Sequence, residues 1–129
     1  MAESMSRNLE LVVGEAEELP CFDHTFDIVF TNAVLTHIGN DKIKCAIQEL
    51  LRVAKKRVVL LEPHTFGLSK RKLFKMGILP YRNGQWIRDY AKLIPSNFDV
   101  SITKVPDGLF HTKPWKELGA IIEINKEDE

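Results

Sequence analysis

The sequence predicts a mixed α/β domain built on a mainly parallel sheet, and three observations carry that expectation. Phe26-Asp27-Ile28-Val29-Phe30 is apolar on both faces apart from Asp27, the pattern of a strand buried on two sides. From Asp41, a natural N-cap, the positions Ile43, Ala46, Ile47, Leu50, Leu51 and Ala54 recur at helical spacing, with Lys55, Lys56 and Arg57 gathered where a helix C-terminus favours cations. Val58-Val59-Leu60-Leu61 follows at once as a second buried run, ended by Glu62-Pro63. Strand, helix, strand in this order is a βαβ unit with parallel strands and a right-handed connection.

The remaining elements follow from the same rules. Leu9 to Val13 is a short β-branched run closed by Gly14, a fair strand. Glu15 to Leu19 reads as one turn or a loop, because Pro20 stops any longer helix. Leu68 to Leu79 is weakly helical and interrupted by Gly77, Gly84 marks a turn, and Trp86 to Ile94 reads as a short amphipathic helix stopped by Pro95. Phe98 to Val105 alternates with period two, as does the less regular Gly119 to Ile124, and the two are expected to form an antiparallel pair at the sheet edge. Helices are expected on both faces of the sheet. At 129 residues one core is feasible and two are not, so a single domain over 1–129 is expected, with 1–8 and 126–129 as flexible ends.

Composition narrows the function classes. No run approaches the ~18 apolar residues of a membrane span, and the N-terminus lacks the basic-then-apolar order of a secretory signal, so a cytoplasmic chain is expected. Cys21 and Cys45 stand far apart with no metal-ligand spacing, which suggests neither a disulfide framework nor a metal site. The seven glycines fall at 14, 39, 67, 77, 84, 108 and 119, so no phosphate-cradling GxGxxG or Walker loop can be written. The net charge of zero hides an asymmetry: residues 1–50 carry three basic and nine acidic side chains, residues 51–92 eleven and two, residues 93–129 four and seven. A basic middle third could recognise an anionic group on a substrate or nucleic acid, but solvated helix ends and loops are the favoured explanation. Nucleic-acid binding has less support, since no recognised motif accompanies the charge.

In open α/β sheets ligands sit outside the carboxyl ends of the strands. Candidate functional residues are therefore Gly14, Glu15 and Ala16 after the first expected strand, Thr31, Asn32, Ala33 and His37 after the second, and Glu62 and His64 after the third.

Four blocks in order, Val13-Gly14-Glu15-Ala16-Glu17-Glu18-Leu19-Pro20, Phe26 to Phe30, Val34-Leu35-Thr36-His37-Ile38, and Glu49-Leu50-Leu51-Arg52-Val53, resemble the second half of class I S-adenosylmethionine-dependent methyltransferases. The resemblance covers roughly residues 9 to 63 and implies a partial Rossmann-like methyltransferase fold with S-adenosyl-L-methionine as cofactor. Tyr81-Arg82 and Trp86 to Tyr90 are similar to a segment of small bacterial methyltransferases of sugar biosynthesis, which adds Tyr81 and Arg82 to the substrate side. The resemblance implies that Glu15 and Ala16, beside Gly14, meet the adenine, although the family usually has aspartate at the first of these. It likewise implies that Thr31, Asn32 and Ala33 lie beside the methionine moiety. His37 is the best general-base candidate for an attacking hydroxyl or amine on a small-molecule substrate, histidine being the side chain suited to proton transfer near neutral pH, with Glu62 and His64 as second choices.

The family's glycine-rich loop and ribose-binding carboxylate have no counterpart in the sequence, and the expected Phe26 strand is left with an unpaired side. Three outcomes are open: a portion of a longer polypeptide, direct pairing of Leu9 to Val13 beside Phe26 to Phe30, or a homodimer through the exposed sheet edge. Direct pairing is favoured for a chain that folds alone, because twelve residues, Gly14 to Thr25, are about the minimum for a parallel crossover. The function expected is methyl transfer to a small-molecule hydroxyl or amine by an incomplete or truncated enzyme. The competing expectation is a non-catalytic, methyltransferase-like interaction subunit.

Overall fold

The computed structural model describes residues 9–126. In chain order the elements are β1 (Phe26–Asn32), a 3-10 turn (Leu35–His37), α1 (Ile43–Val53), β2 (Ala54–Pro63), α2 (Lys70–Lys75), β3 (Tyr81–Arg82), β4 (Gln85–Trp86), α3 (Tyr90–Leu93), β5 (Asp99–Lys104), α4 (Trp115–Leu118) and β6 (Gly119–Asn125). The main sheet has the order β1-β2-β6-β5, while β3 and β4 form a separate hairpin. The expected βαβ unit is present: β1 and β2 pair in parallel, with Thr31 opposite Leu60 and Asn32 opposite Leu61. The expected antiparallel pair of β5 and β6 also forms, and β6 inserts between β2 and β5, so that β5 takes the edge.

Alternation along the strands decides what is buried. One face carries Val29 and Thr31 of β1, Val58, Leu60 and Glu62 of β2, Ala120, Ile122 and Ile124 of β6, and Val100 and Ile102 of β5. The apolar stripe of α1, Ile43, Ala46, Ile47, Leu50 and Leu51, packs on this face together with Leu35, Tyr90 and Ile94. Each such aliphatic side chain contributes about 1.5–3 kcal/mol by leaving water. A second, smaller cluster of Leu73, Ile78, Ile87 and Leu118 joins α2, the hairpin and α4.

The class is the α/β one expected, and several details differ. Leu9 to Val13 forms no strand and does not pair beside β1; Leu11, Val12 and Val13 are 69%, 72% and 98% exposed. The sheet accordingly holds one parallel pair and two antiparallel pairs rather than being mainly parallel. The helices cover one face rather than two: on the opposite face Phe26, Ile28 and Phe30 are 46%, 56% and 73% exposed, so β1 is not buried on both sides. Their apolar character thus exceeds what the fold buries.

Other differences are local. Asp41 makes no cap; the Gly39 carbonyl accepts from Lys42 and Ile43 N–H and so starts α1. Lys55 to Arg57 lie in β2, which begins as soon as Ala54 turns extended. The helix expected over Trp86 to Ile94 is confined to Tyr90–Leu93, capped by the Asp89 carboxylate accepting from Ala91 N–H. Its first part is instead the strand β4, because Asn83 and Gly84, both at positive φ (54° and 77°), close a tight hairpin.

Candidate functional site

Parallel pairing sets the carboxyl ends of β1 and β2 side by side, which brings Thr31 and Glu62 together on the covered face. The Glu62 carboxylate is completely buried. Its Oε2 accepts from Thr31 Oγ1 (2.9 Å), Val34 N–H (3.0 Å) and Leu35 N–H (3.0 Å), and its Oε1 from Thr36 N–H (3.0 Å). Burial raises the carboxyl pKa above the usual carboxylate value, and the four hydrogen bonds pull the other way. Glu62 therefore caps the amino end of the 3-10 turn and ties it to the sheet.

Arg88, also buried, holds the other end. Its Nη1 donates to the Leu35 carbonyl (2.9 Å), its Nη2 to the Ile38 carbonyl, and Nε and Nη2 both reach Asn40 Oδ1 (3.2 and 3.1 Å). The guanidinium lies 5.2 Å from the Trp86 ring centroid, a cation–π contact. Thr36 Oγ1 donates to the Trp86 carbonyl (2.8 Å). An anion at the amino end and a cation at the carboxyl end both match the dipole of the turn between them. Sequence reading placed Arg88 in a resemblance but gave it no role, since its acceptors are mostly main-chain carbonyls, which leave no residue-type pattern.

The turn ends in His37, whose ring is exposed and whose Nδ1 lies 3.1 Å from the Gly84 carbonyl of the hairpin. A carbonyl can only accept, so Nδ1 carries the proton in this contact and the Nε2 lone pair is free. Before the turn, Ala33 adopts positive φ (61°) and donates to the Leu61 carbonyl (3.0 Å), which breaks β1 and leaves the Asn32 side chain exposed. Tyr81 and Arg82 are exposed on the hairpin, where Tyr81 packs on Trp86 at 4.3 Å between centroids.

The other expected residues lie differently. His64 is buried and its Nδ1 accepts from Tyr90 N–H (3.2 Å), so its proton is on Nε2. Burial holds its pKa below the usual histidine value. Buried and internally bonded, Glu62 and His64 support the site rather than face a ligand. The segment carrying Gly14, Glu15 and Ala16 docks on α1: Leu19 N–H donates to Glu49 (2.8 Å), and Arg52 bridges Glu49, Asp23 and the Leu19 carbonyl. Ala16 packs on the core while Glu15 is exposed. Gly14 has a structural cause, because a Cβ there would stand 2.7 Å from the Pro20 ring. The structure thus joins Thr31, Asn32, Ala33, His37, Tyr81 and Arg82 through the turn and hairpin, and sets Gly14 to Ala16 on a separate support.

Comparison with known proteins agrees with this layout. The family model described as a methyltransferase domain matches residues 1–61. No curated protein sequence matches the chain. Among solved structures, magnesium protoporphyrin IX methyltransferase from Synechocystis PCC 6803, with bound SAH, is similar at a TM-score of 0.54 and 19% identity over 88% of this chain and 49% of its own. The YcgJ protein from Bacillus subtilis is similar at a TM-score of 0.65 and 14% identity, over 99% and 75% of the two chains. A SAM-dependent methyltransferase from Thermotoga maritima, described as a possible histamine N-methyltransferase, is similar at 0.57 and 20% identity, over 98% and 69%. At these identities the likeness is one of fold, and the chain spans about half the length of the first of the three. The methyltransferase-domain match over residues 1–61 covers just under half of the 129-residue chain, and the three solved structures share its Rossmann-like fold.

Proposed function

We propose that the chain takes part in methyl transfer from S-adenosylmethionine to a hydroxyl or amine of a small molecule. The observation that carries this reading is the family match over residues 1–61 together with a post-β1 loop fixed at the carboxyl ends of β1 and β2. The residues fit the cofactor in part. Glu15 and Asn32 are exposed, and neither side chain has a hydrogen bond or ion pair among the described residues, so both are open to a ligand. Gly14 and Ala16 flank the first of these, and Thr31 and Ala33 the second. No glycine-rich loop or ribose carboxylate is available from this sequence.

When bound, the sulfonium supplies a methyl group that is already reactive toward nucleophiles. The chain's own part is to orient the acceptor and keep water away. His37 presents a free Nε2 that takes the proton from the attacking hydroxyl or amine, and its contact with Gly84 fixes both tautomer and ring. Tyr81 and Arg82, on the same hairpin, contact the acceptor.

Isothermal titration of the folded chain with S-adenosylhomocysteine tests the reading. Saturable heat that Glu15→Ala and Asn32→Ala abolish is the expected result, and no heat at millimolar ligand refutes independent cofactor binding.

The exposed apolar face of β1 favours a second reading, a non-catalytic subunit that pairs its β1 edge with a second copy. Under this reading Phe30→Lys converts dimer to monomer in sedimentation and leaves the fold intact; a monomeric parent protein at all concentrations removes it.

A further inference from the structure

A cavity of about 180 Å³ lies under the hairpin, between the end of α2 and the segment leading to α4. It is well below the ~300–1,000 Å³ of sites for drug-sized ligands, so it suits one functional group with a few carbons attached. Arg82 and Lys113 stand in its lining, and no acidic residue does. Arg82 makes no hydrogen bond or ion pair among the described residues. The Lys113 ammonium spends one of its three donors on the Met76 carbonyl (2.6 Å). Gln85, a third lining residue, has its side-chain Oε1 buried without a hydrogen-bond partner. With its oxygen shut off from solvent, it is the unbonded NH2 end of the Gln85 amide that stays open to donate to an anion. Ile78, Ile87 and Pro114 supply apolar wall beside these groups.

We propose that this cavity binds the anionic group, carboxylate or phosphate, of the methyl acceptor, with Arg82, Lys113 and the Gln85 amide as its ligands. The assignment of the anion to the acceptor rests on the methyl-transfer reading; the anion site itself does not. The hairpin that supplies Arg82 and Gln85 also supplies the Gly84 carbonyl that orients His37, so a single element couples acceptor anchoring to the base. Two unneutralised cations with a forked guanidinium geometry recognise a planar or tetrahedral oxyanion better than a neutral sugar or amine.

The test is a heteronuclear NMR titration of the full chain with sodium phosphate, and separately with sodium acetate, at an ionic strength held constant with sodium chloride. Expected are saturable shifts at the Gly77, Asn83 and Gln85 amides and the Gln85 side chain, weakened about tenfold in Arg82→Ala and partly restored in Arg82→Lys. The stronger of the two arms identifies phosphate or carboxylate. Because Arg82 has no partner in the fold, its replacement leaves folding unaffected, and Lys113→Met provides an independent second variant. Absence of saturable shifts at these amides, or shifts that Arg82→Ala and Lys113→Met both leave unchanged, overturns the anion site. A parallel titration with S-adenosylhomocysteine separates the two ideas: saturable anion shifts in a chain that ignores this ligand keep the site and refute its assignment to a methyl acceptor.

Discussion

Replacing Glu62 by glutamine keeps the side chain's size and removes its ability to accept on both oxygens. Four donors converge on the carboxylate, three on Oε2 and one on Oε1. A glutamine NH2 therefore faces at least one of them, and the least costly orientation sets it against Thr36 N–H. One hydrogen bond to a charged acceptor is lost and two donors are left opposed in a buried place. The expected cost is about 1.5–3 kcal/mol. For a chain of this length that lowers Tm by roughly 5–15 °C, at ~3–5 °C per kcal/mol. Glu62→Ala leaves all four donors without a partner and opens a cavity, so it costs more than the glutamine variant. Differential scanning calorimetry reads the stability, and amide exchange reads the site. Thr36 N–H, in the first turn of a short 3-10 segment, owes its protection to Glu62 and becomes fast in Glu62→Gln. A Glu62→Gln protein with unchanged Tm and unchanged Thr36 exchange would refute the claim that the carboxylate holds the turn.

Further outcomes follow from the same geometry. Arg88→Lys keeps the charge but cannot span the Leu35 and Ile38 carbonyls and Asn40 together, so it destabilises by about 2–3 kcal/mol in urea unfolding; stability equal to the parent would contradict the clamp. Burial depresses the His64 pKa in the folded state, so the histidine's contribution to stability is present above its ordinary 6.5 and is lost as the pH falls from there through the folded value. Thermal scans across this range should show that slope in the parent and not in His64→Asn, whose amide oxygen can still accept from Tyr90 N–H. Gly84→Ala meets no neighbouring atom but must hold φ at 77°, and its expected cost is about 1 kcal/mol together with a changed His37 ring environment in NMR.

The βαβ unit and the β5–β6 pair were legible because periodicity reports burial, the stripe of α1 and the runs of β2 and β6 meeting one core; the insertion of β6 beside β2 left no such mark. Leu9 to Val13 has the composition of a strand but pairs with neither edge of the main sheet, and pattern alone does not reveal whether a strand-like run finds a partner. The hairpin was legible in principle, since Asn83-Gly84 between short extended runs is a strong turn signal; the amphipathic spacing of Trp86 to Ile94 competed with it and prevailed in the reading. The placement of Asn32, Ala33 and His37 at and beyond the carboxyl end of β1 was legible from the apolar run that precedes them. Glu62 was expected on the substrate side and is buried instead, because its partners are three main-chain N–H groups and one threonine hydroxyl, which no residue pattern displays. Arg88 is hidden for the same reason, its acceptors being mostly carbonyls of a turn fifty residues away.

The basic middle third resolves into several uses. Arg52 is spent on Glu49 and Asp23, Arg57 on Asn125, and Arg88 on the turn. Lys70, Arg71, Lys72 and Lys75 all lie on α2 and are exposed to solvent, and Lys72 and Lys75 fall in its last turn, where the dipole favours cations. Arg82 is different, being neither paired within the fold nor placed on a helix, yet it lines a cavity with a second cation and an unsatisfied amide. A surplus of charge dispersed over a surface would argue for a polyanion, whereas one unpaired guanidinium set into a cavity of this size argues for a single small oxyanion. Within the basic middle third, Arg82 is thus the cation that fits the proposed oxyanion site.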